Sequence, residues 1–70
     1  MPIIEMHMAE GRTSEQKSRV AAAVTEAVCN SLECPAETVR ILITEHGHDE
    51  FYVAGINMAQ RAAKQKAQVQ

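Results

Sequence analysis

The first pattern along the chain is an alternation over residues 3–8, IIEMHM, which is the two-residue period of a β-strand. One face of this strand would carry Ile4, Met6 and Met8, and the other would carry Ile3, Glu5 and His7. A glycine-containing turn, Glu10-Gly11-Arg12, follows it. The pattern therefore predicts a short strand with one apolar face, closed by a tight turn.

A four-residue repeat then predicts a long helix over about residues 14–32. Thr13 is a suitable N-cap, and Gln16 three residues later can complete a capping box. The apolar stripe consists of residues four apart with two alanines beside them, namely Val20, Val24, Val28, Leu32, Ala23 and Ala27. Cys34-Pro35 ends the helix, because a residue that precedes proline disfavours helical geometry.

The second half of the chain predicts a tight turn, a strand, a small β element and a tail. Residues 35–38 form the turn, and residues 39–44, VRILIT, are continuously β-branched and apolar, as in a strand covered on both faces. Residues 45–50, EHGHDE, are a polar loop, and residues 51–53 are a third extended stretch that can form a hairpin. We expect the first half of the tail to be helical and residues from about 60 to 70 to be flexible.

This order of elements predicts an α+β fold in one domain spanning residues 1–70. A helix between two strands makes the strands parallel, with a right-handed crossover. Two strands and one helix are not stable alone. The chain is 46% hydrophobic but has only one Phe and one Tyr, so its apolar faces need a partner. We therefore expect an oligomer.

Composition excludes several classes of function. Seven basic and nine acidic residues make the chain weakly acidic, and it lacks the basic patch with stacking aromatic residues that binds nucleic acid. Its apolar runs are too short to span a membrane, and residues 1–8 do not resemble a signal peptide, so we expect a cytoplasmic protein. In that compartment Cys29 and Cys34 are interpreted as reduced, small apolar residues rather than a disulfide.

Pro2 is a candidate general base. The initiator methionine is normally removed before a small residue, and the chain would then begin with a secondary amine fixed by the strand behind it. An α-amino group titrates at about 7.7–8.0, close to the working pH of a base. Apolar surroundings and nearby cations lower that value further. Taken alone, however, a Met-Pro start favours a simpler interpretation, in which proline is tolerated at the first position of a strand.

Arg12 and Arg40 are candidate ligands for carboxylate groups. An isolated arginine is more often solvated or part of a surface ion pair. Pro2 and Arg40 both lie near strand starts, so parallel strands place them at the same edge of the sheet. Arg12 lies beyond the other end of a strand that spans roughly 20 Å. One chain alone does not bring Pro2 and Arg12 together.

Taken in one register, these residues resemble the 4-oxalocrotonate tautomerase family. The resemblance runs from Pro2 to about Gly55 and is carried by Pro2, His7 through Arg12, Glu15-Gln16-Lys17, Val39-Arg40, Ile43-Thr44-Glu45 and Phe51. It implies a β-α-β unit with a short C-terminal hairpin, dimers that share a four-stranded sheet, and hexamers built from three dimers. It also implies that a 2-hydroxydienoate such as 2-hydroxymuconate is ketonised to the 2-oxo-3-enoate in aromatic hydrocarbon catabolism, without a metal or cofactor.

The resemblance further implies a role for each matching residue. Pro2 would take and return the proton, while Arg12 would hold the distal carboxylate of an unsaturated dicarboxylate. Arg40 of a neighbouring subunit would hold the 2-oxo group and its carboxylate. The implied substrate-binding positions are Phe51, Ala9 and Thr38, with Phe51 part of an apolar wall that keeps Pro2 neutral. A hexamer of identical chains is expected, with a heteromer as the alternative.

Two other functions remain open. A dehalogenase or hydratase on this scaffold needs a carboxylate to activate water, and related dehalogenases place a glutamate two residues after the aromatic position. Val53 stands there in this chain, although Asp49 or Glu50 could turn inward. The second alternative is a non-catalytic subunit, which retention of Met1 would produce.

The histidines carry less specific signals. The HGHDE segment of residues 46–50 is interpreted as a solvated loop rather than a metal site, because no opposing ligands are evident. His7, in the middle of a strand, is interpreted as a packed or interface histidine.

Overall fold

A computed structural model of the chain describes residues 1–68, with side chains through residue 63. Its elements in chain order are β1 (Ile3–Ala9), α1 (Ser14–Leu32), a 3-10 turn (Ala36–Thr38), β2 (Arg40–His46), β3 (Tyr52–Val53), β4 (Ile56–Asn57) and α2 (Met58–Gln68). β1 and β2 pair in parallel, and β3 and β4 form an antiparallel hairpin. The predicted α+β fold, a β-α-β unit followed by a hairpin, is confirmed.

β2 is longer than the sequence pattern predicts, because it includes two residues assigned to the polar loop. Glu45 and His46 pair with Met8 and Ala9 at the end of β1. The Glu45 carboxylate accepts a hydrogen bond from Lys17 Nζ at 2.8 Å, so its charge is compensated on the strand. Pairing with β1 therefore decides where β2 ends.

The start and end of α1 follow the predicted signals. Thr13 Oγ1 accepts from the Gln16 amide at 3.1 Å, and Gln16 Oε1 accepts from the Thr13 amide at 3.0 Å, which completes the capping box. At the other end Glu33 adopts a left-handed conformation (φ 54°), and the Cys34 amide donates to the Cys29 carbonyl at 3.3 Å. The helix is thus capped at both ends.

One face of the β1–β2 sheet packs towards α1. The strand residues on this face are half-buried, as are the helix residues four apart, namely Ile4, Met6, Met8, Ile41, Ile43, Val20, Val24 and Val28. Ala23 and Ala27 are exposed instead of flanking this stripe, and Leu32 is 63% exposed. Ala21 and Thr25 take the flanking positions. The predicted stripe is therefore correct in its three valines and wrong in its two alanines and in Leu32.

The opposite face of the sheet is open. Ile3 is 61% exposed and Leu42 is 54% exposed, and no side chain among residues 1–63 is fully buried. The radius of gyration is 16.3 Å, whereas a compact chain of this length would have about 11 Å. The single chain therefore lacks a closed core of its own.

The C-terminal segment is helical beyond the predicted half of the tail. α2 begins directly after β4 and continues to Gln68, while residues 69 and 70 lie outside the described residues. The flexibility expected from residue 60 onward stays a prediction. Neither of the described helices is long and apolar enough to cross a membrane.

Candidate active site

Pro2 lies directly before β1 and is held through its carbonyl group. This carbonyl accepts a hydrogen bond from the Arg40 amide at 3.0 Å, and the next residue, Ile3, is in register with Arg40. The pyrrolidine ring is half-buried. The strand ladder therefore fixes Pro2, and the predicted edge shared by Pro2 and Arg40 is confirmed.

Two further candidate residues lie at the same edge. The exposed Arg40 guanidinium donates to the backbone carbonyl of Glu37, one turn before the strand. Thr38 belongs to the 3-10 turn, and its hydroxyl donates to the Pro35 carbonyl at 2.7 Å. We call Pro2, Thr38 and Arg40 the Pro2 end of the sheet.

The opposite end of the sheet carries the turn that leads to Arg12. Ala9 is the last residue of β1 and pairs with His46, and the Glu10 amide donates to the His46 carbonyl at 2.9 Å. Gly11 has φ +119°, a conformation that a residue with a Cβ rarely adopts. Glycine thus allows the chain to turn from β1 into α1 within four residues.

Arg12 borders a hollow of about 170 Å³ that it shares with Met8, Gln16, Lys17 and Val20. Lys17 forms an ion pair with Glu45. Arg12, the other cation that borders this hollow, has no carboxylate partner among the described ion pairs. An exposed guanidinium on an apolar floor presents its forked donors to an incoming carboxylate.

Phe51 lies near the Arg12 end, not near Pro2 of the same chain. It borders a second hollow, of about 200 Å³, together with His7, His46, Glu50 and Tyr52. The Phe51 carbonyl accepts from the Met58 amide at 3.1 Å, which ties it to the start of α2. We call Ala9, Arg12, His46 and Phe51 the Arg12 end of the sheet.

His7 and His46 form a contact that the sequence pattern did not predict. His7 Nδ1 lies 2.9 Å from His46 Nε2, and the two rings are inclined by only 24°. The sequence pattern places His46 in a loop and therefore gives it no register with β1, whereas in the structure it pairs with Ala9. Extending the strand pattern of β2 by two residues would have placed His46 on the strand.

The positions that bear on a hydratase or dehalogenase lie in β3 and in the loop before it. Val53 lies in β3 and is 48% exposed, and Glu50 Oε1 accepts a hydrogen bond from the Gly47 amide at 3.3 Å. Within the described residues, no three His, Cys, Asp or Glu side chains are grouped so as to hold a metal ion.

The two cysteines are free thiols at the C-terminal end of α1. Cys29 and Cys34 are both half-buried. Desolvation raises the pKa of the Cys29 thiol above its ordinary value, and the neighbouring Cys34 adds to the rise. A raised pKa lowers the thiolate fraction at neutral pH, so Cys29 is not poised as a nucleophile.

The structure thus separates the candidate residues into two groups. Pro2, Thr38 and Arg40 lie at one end of a seven-residue strand pair, whereas Ala9, Arg12 and Phe51 lie at the other. A strand of this length spans roughly 20 Å, more than one small substrate can bridge. Fold and site together define a β-α-β protomer with a strand-anchored proline and separated arginines.

Comparison with known proteins identifies the family. The model of the tautomerase enzyme family matches residues 2–61. A 2-hydroxymuconate tautomerase from Pseudomonas sp. strain CF600 is 47% identical over 55 residues, which cover 79% of this chain and 87% of that protein. The chain therefore belongs to the tautomerase family and is an enzyme of the isomerase class.

Solved structures agree with this assignment. A structure from a study of the 4-oxalocrotonate tautomerase isozymes of Methylibium petroleiphilum is 51% identical, with a TM-score of 0.87, and the match covers 90% of this chain and 98% of that one. A heterohexameric 4-oxalocrotonate tautomerase from Chloroflexus aurantiacus J-10-fl is 35% identical, with a TM-score of 0.83 and coverage of 86% and 97%. The fold is thus that of the 4-oxalocrotonate tautomerases.

Proposed function

We propose that this tautomerase ketonises a 2-hydroxydienoate such as 2-hydroxymuconate, with the amine of Pro2 as the general base once Met1 is removed. The observation that carries the proposal is the position of Pro2, whose carbonyl is fixed by the Arg40 amide at 3.0 Å. Met1 is 77% exposed, so its removal disturbs no packing and leaves an anchored secondary amine. The similarity to a 2-hydroxymuconate tautomerase supports this choice of substrate.

The proposed reaction moves one proton along a conjugated dianion. The neutral amine takes the proton of the 2-hydroxyl group and returns it to a carbon of the dienol, which gives the 2-oxo-3-enoate. Arg40 binds the 2-oxo group and the neighbouring carboxylate, and Arg12 binds the distal carboxylate. Both guanidinium groups stay charged at any working pH and stabilise the negative charge that spreads through the dienolate.

A complete site needs groups from more than one chain. Pro2 and Arg12 lie at opposite ends of β1, and Phe51 lies beside His46 at the Arg12 end of the sheet. If two chains pair side by side in antiparallel orientation, the Pro2 end of one lies beside the Arg12 end of the other. The open face with Ile3 and Leu42 supplies apolar surface for such contacts. We infer dimers with a four-stranded sheet, three of which form a hexamer.

This assembly fits a cytoplasmic enzyme of aromatic hydrocarbon breakdown, which forms unsaturated dicarboxylates of this class. Ala9 and Thr38 complete the proposed substrate contacts. The side chain of Ala9 is small, which leaves room beside the Arg12 turn, and the Thr38 hydroxyl is already engaged with the Pro35 carbonyl. Thr38 therefore acts by shape and backbone position.

The test is the initial rate of 2-hydroxymuconate ketonisation, followed by ultraviolet absorbance on protein whose intact mass shows that Met1 is absent. A turnover far above the buffer rate is expected. A rate equal to that of buffer would contradict the proposal. The same chain with Met1 retained is the matched control, because its proline nitrogen is an amide without basicity, and it should be inactive.

A hydratase or dehalogenase is the second candidate, and one observation favours it. Glu50 borders the same hollow as Phe51, so its carboxylate is near the proposed apolar wall. Val53, in contrast, offers no group to activate water. Incubation with a 3-haloacrylate should release no halide. Halide release that is lost in Glu50→Gln would favour this second function.

A further inference from the structure

The His7–His46 pair is a head-on hydrogen bond rather than a stack of two rings. The ring centroids are 5.1 Å apart, while His7 Nδ1 and His46 Nε2 are 2.9 Å apart. The distance between the ring centroids exceeds the distance between the two nitrogens by about two ring radii. Both nitrogens therefore lie near the line that joins the ring centres. One nitrogen therefore carries a proton that the other accepts.

His46 connects this pair to both elements of the Arg12 end. Its carbonyl accepts from the Glu10 amide at 2.9 Å, two residues before Arg12. Its side chain borders the hollow that contains Phe51. His7 on β1 is in register with Thr44 on β2, and its bond to His46 of β2 therefore joins the two strands on the open face of the sheet. One residue thus fixes the backbone of the Arg12 turn and one wall of the Phe51 hollow.

We propose that the His7–His46 pair is a positioning element for the tautomerase site. By sharing one proton it holds the Arg12 turn and Phe51 in the arrangement that binds substrate, and it releases them when acid protonates both rings. The proposal rests on the proposed function for its effect on turnover. Neither histidine contacts the substrate in this account, so neither is a catalytic residue.

The sign of the pH dependence follows from the number of protons in the pair. With one proton between the two facing nitrogens, the bond is intact, whether the pair is neutral or carries a single positive charge. With both facing nitrogens protonated, no acceptor remains, and two like charges face each other. Positioning is therefore present while the two facing nitrogens share one proton, and it is lost once acid protonates both of them.

Few other charges face the pair. Glu5 on β1 and Arg40 on β2 lie on the same face of the sheet, with Arg40 at its far end. Glu50 and Tyr52 border the hollow from the loop and from β3, and Glu50 is engaged with the Gly47 amide. Lys17 and Glu45 pair on the helix side of the sheet. Among the side chains of residues 1–63, no Lys or Arg donates a hydrogen bond to either ring.

Three variants separate positioning from general structural support. His46→Leu removes the bond at every pH, and kcat/KM should fall about tenfold, because misplaced binding groups lower the rate. In His46→Gln the amide can donate to a neutral His7 ring or accept from a protonated one. This variant should keep most of the neutral activity and lose less of it in acid than the wild type. His48→Gln changes the neighbouring loop histidine and should reproduce the wild-type profile.

The experiment combines the pH profile of kcat/KM with nitrogen-15 spectra of the imidazole rings. The spectra should show His7 Nδ1 and His46 Nε2 as one donor and one acceptor. Phe51 is the sole phenylalanine of the chain, and its ring signals should shift with the pair in the wild type but not in His46→Gln. Identical acid profiles for the wild type and His46→Gln, or two facing nitrogens that share no proton, would overturn the proposal. Absent wild-type turnover would contradict only the proposed function, because the nitrogen and Phe51 signals decide the pair without substrate.

Discussion

The two ends of the β1–β2 sheet hold their candidate residues in different ways. At the Pro2 end, a backbone hydrogen bond between the Arg40 amide and the Pro2 carbonyl fixes the proposed base. At the Arg12 end, side-chain pairs supplement the ladder, with Lys17 bound to Glu45 and His7 bound to His46. Any pair of parallel strands supplies the first arrangement, whereas the second depends on particular residues in a particular register.

This difference suggests that the two ends of the sheet have different roles in the proposed reaction. The proposed base must stand at one place with its nitrogen free, which a strand start provides. The proposed substrate-binding end must match the length and charge of an acid, and specific side chains adjust it. Changes at the Pro2 end should therefore abolish chemistry, while changes at the Arg12 end should alter binding and its pH dependence.

The largest effect is expected for Pro2→Ala. A positioned general base contributes about 10²–10⁴ in rate, so kcat on 2-hydroxymuconate should fall at least about a hundredfold. The far-ultraviolet circular dichroism should not change, because the ladder bond uses only the backbone carbonyl of residue 2. Activity close to that of the wild type would show that the proline amine is not the base.

The next largest effect is expected for Arg12→Ala. Charge-assisted hydrogen bonds are worth about 1.5–3 kcal/mol, so kcat/KM should fall roughly tenfold to a hundredfold. KM should rise as the distal carboxylate loses its partner, and kcat should fall as the dienolate loses stabilisation. Arg19→Ala is the matched control, since Arg19 is exposed and pairs with Glu15 on α1. If Arg12→Ala retained full kcat/KM, the assigned role would be wrong.

A smaller effect, on stability, tests the cap that follows Arg12. Thr13→Ala removes the N-cap hydroxyl of α1 and should lower the free energy of unfolding by about 1 kcal/mol. Thr38→Ala, which removes a hydroxyl bond within the 3-10 turn at the Pro2 end, should cost less. Thermal unfolding at equal protomer concentration compares the two. An equal or larger loss for Thr38→Ala would mean that the turn, not the cap, anchors this unit.

The smallest effect concerns the hairpin that carries Phe51. Ala54 has φ 54° in the turn between β3 and β4, where residues with a Cβ are strained. Ala54→Gly should therefore raise the free energy of unfolding by about 0.5 kcal/mol. Ala23→Gly, in the interior of α1, should instead lower it by about 1 kcal/mol. A loss of stability in Ala54→Gly would refute the strain at this turn.

Local patterns in the sequence predicted most of the fold. The alternation in residues 3–8, the capping box at Thr13 and the proline after Cys34 each act over a few residues, so they can be found without knowing the partner strand. Ala23 and Ala27 were misplaced because alanine is favourable on any face of a helix and carries little information about burial.

Less of the candidate site could be predicted from the sequence, because the site depends on the register between segments that are distant in the chain. His7 and His46 are separated by 39 positions, and only the pairing of Ala9 with His46 brings their rings together. The edge shared by Pro2 and Arg40 was predicted correctly, since it follows from parallel strand starts. The location of Phe51 at the Arg12 end of the sheet does not follow from the sequence pattern, because it depends on where the loop after β2 returns.

The central claim is that Pro2 and Arg12 of different chains meet in one site, and subunit complementation tests it most directly. Pro2→Ala and Arg12→Ala chains, each strongly impaired alone, would be unfolded together in equal amounts and refolded. Sites shared between chains predict recovery of about a quarter of the wild-type rate, because random pairing reunites an intact Pro2 with an intact Arg12 in that share of sites. Sites built within one chain would recover nothing above the two separate variants, and that result would contradict the account.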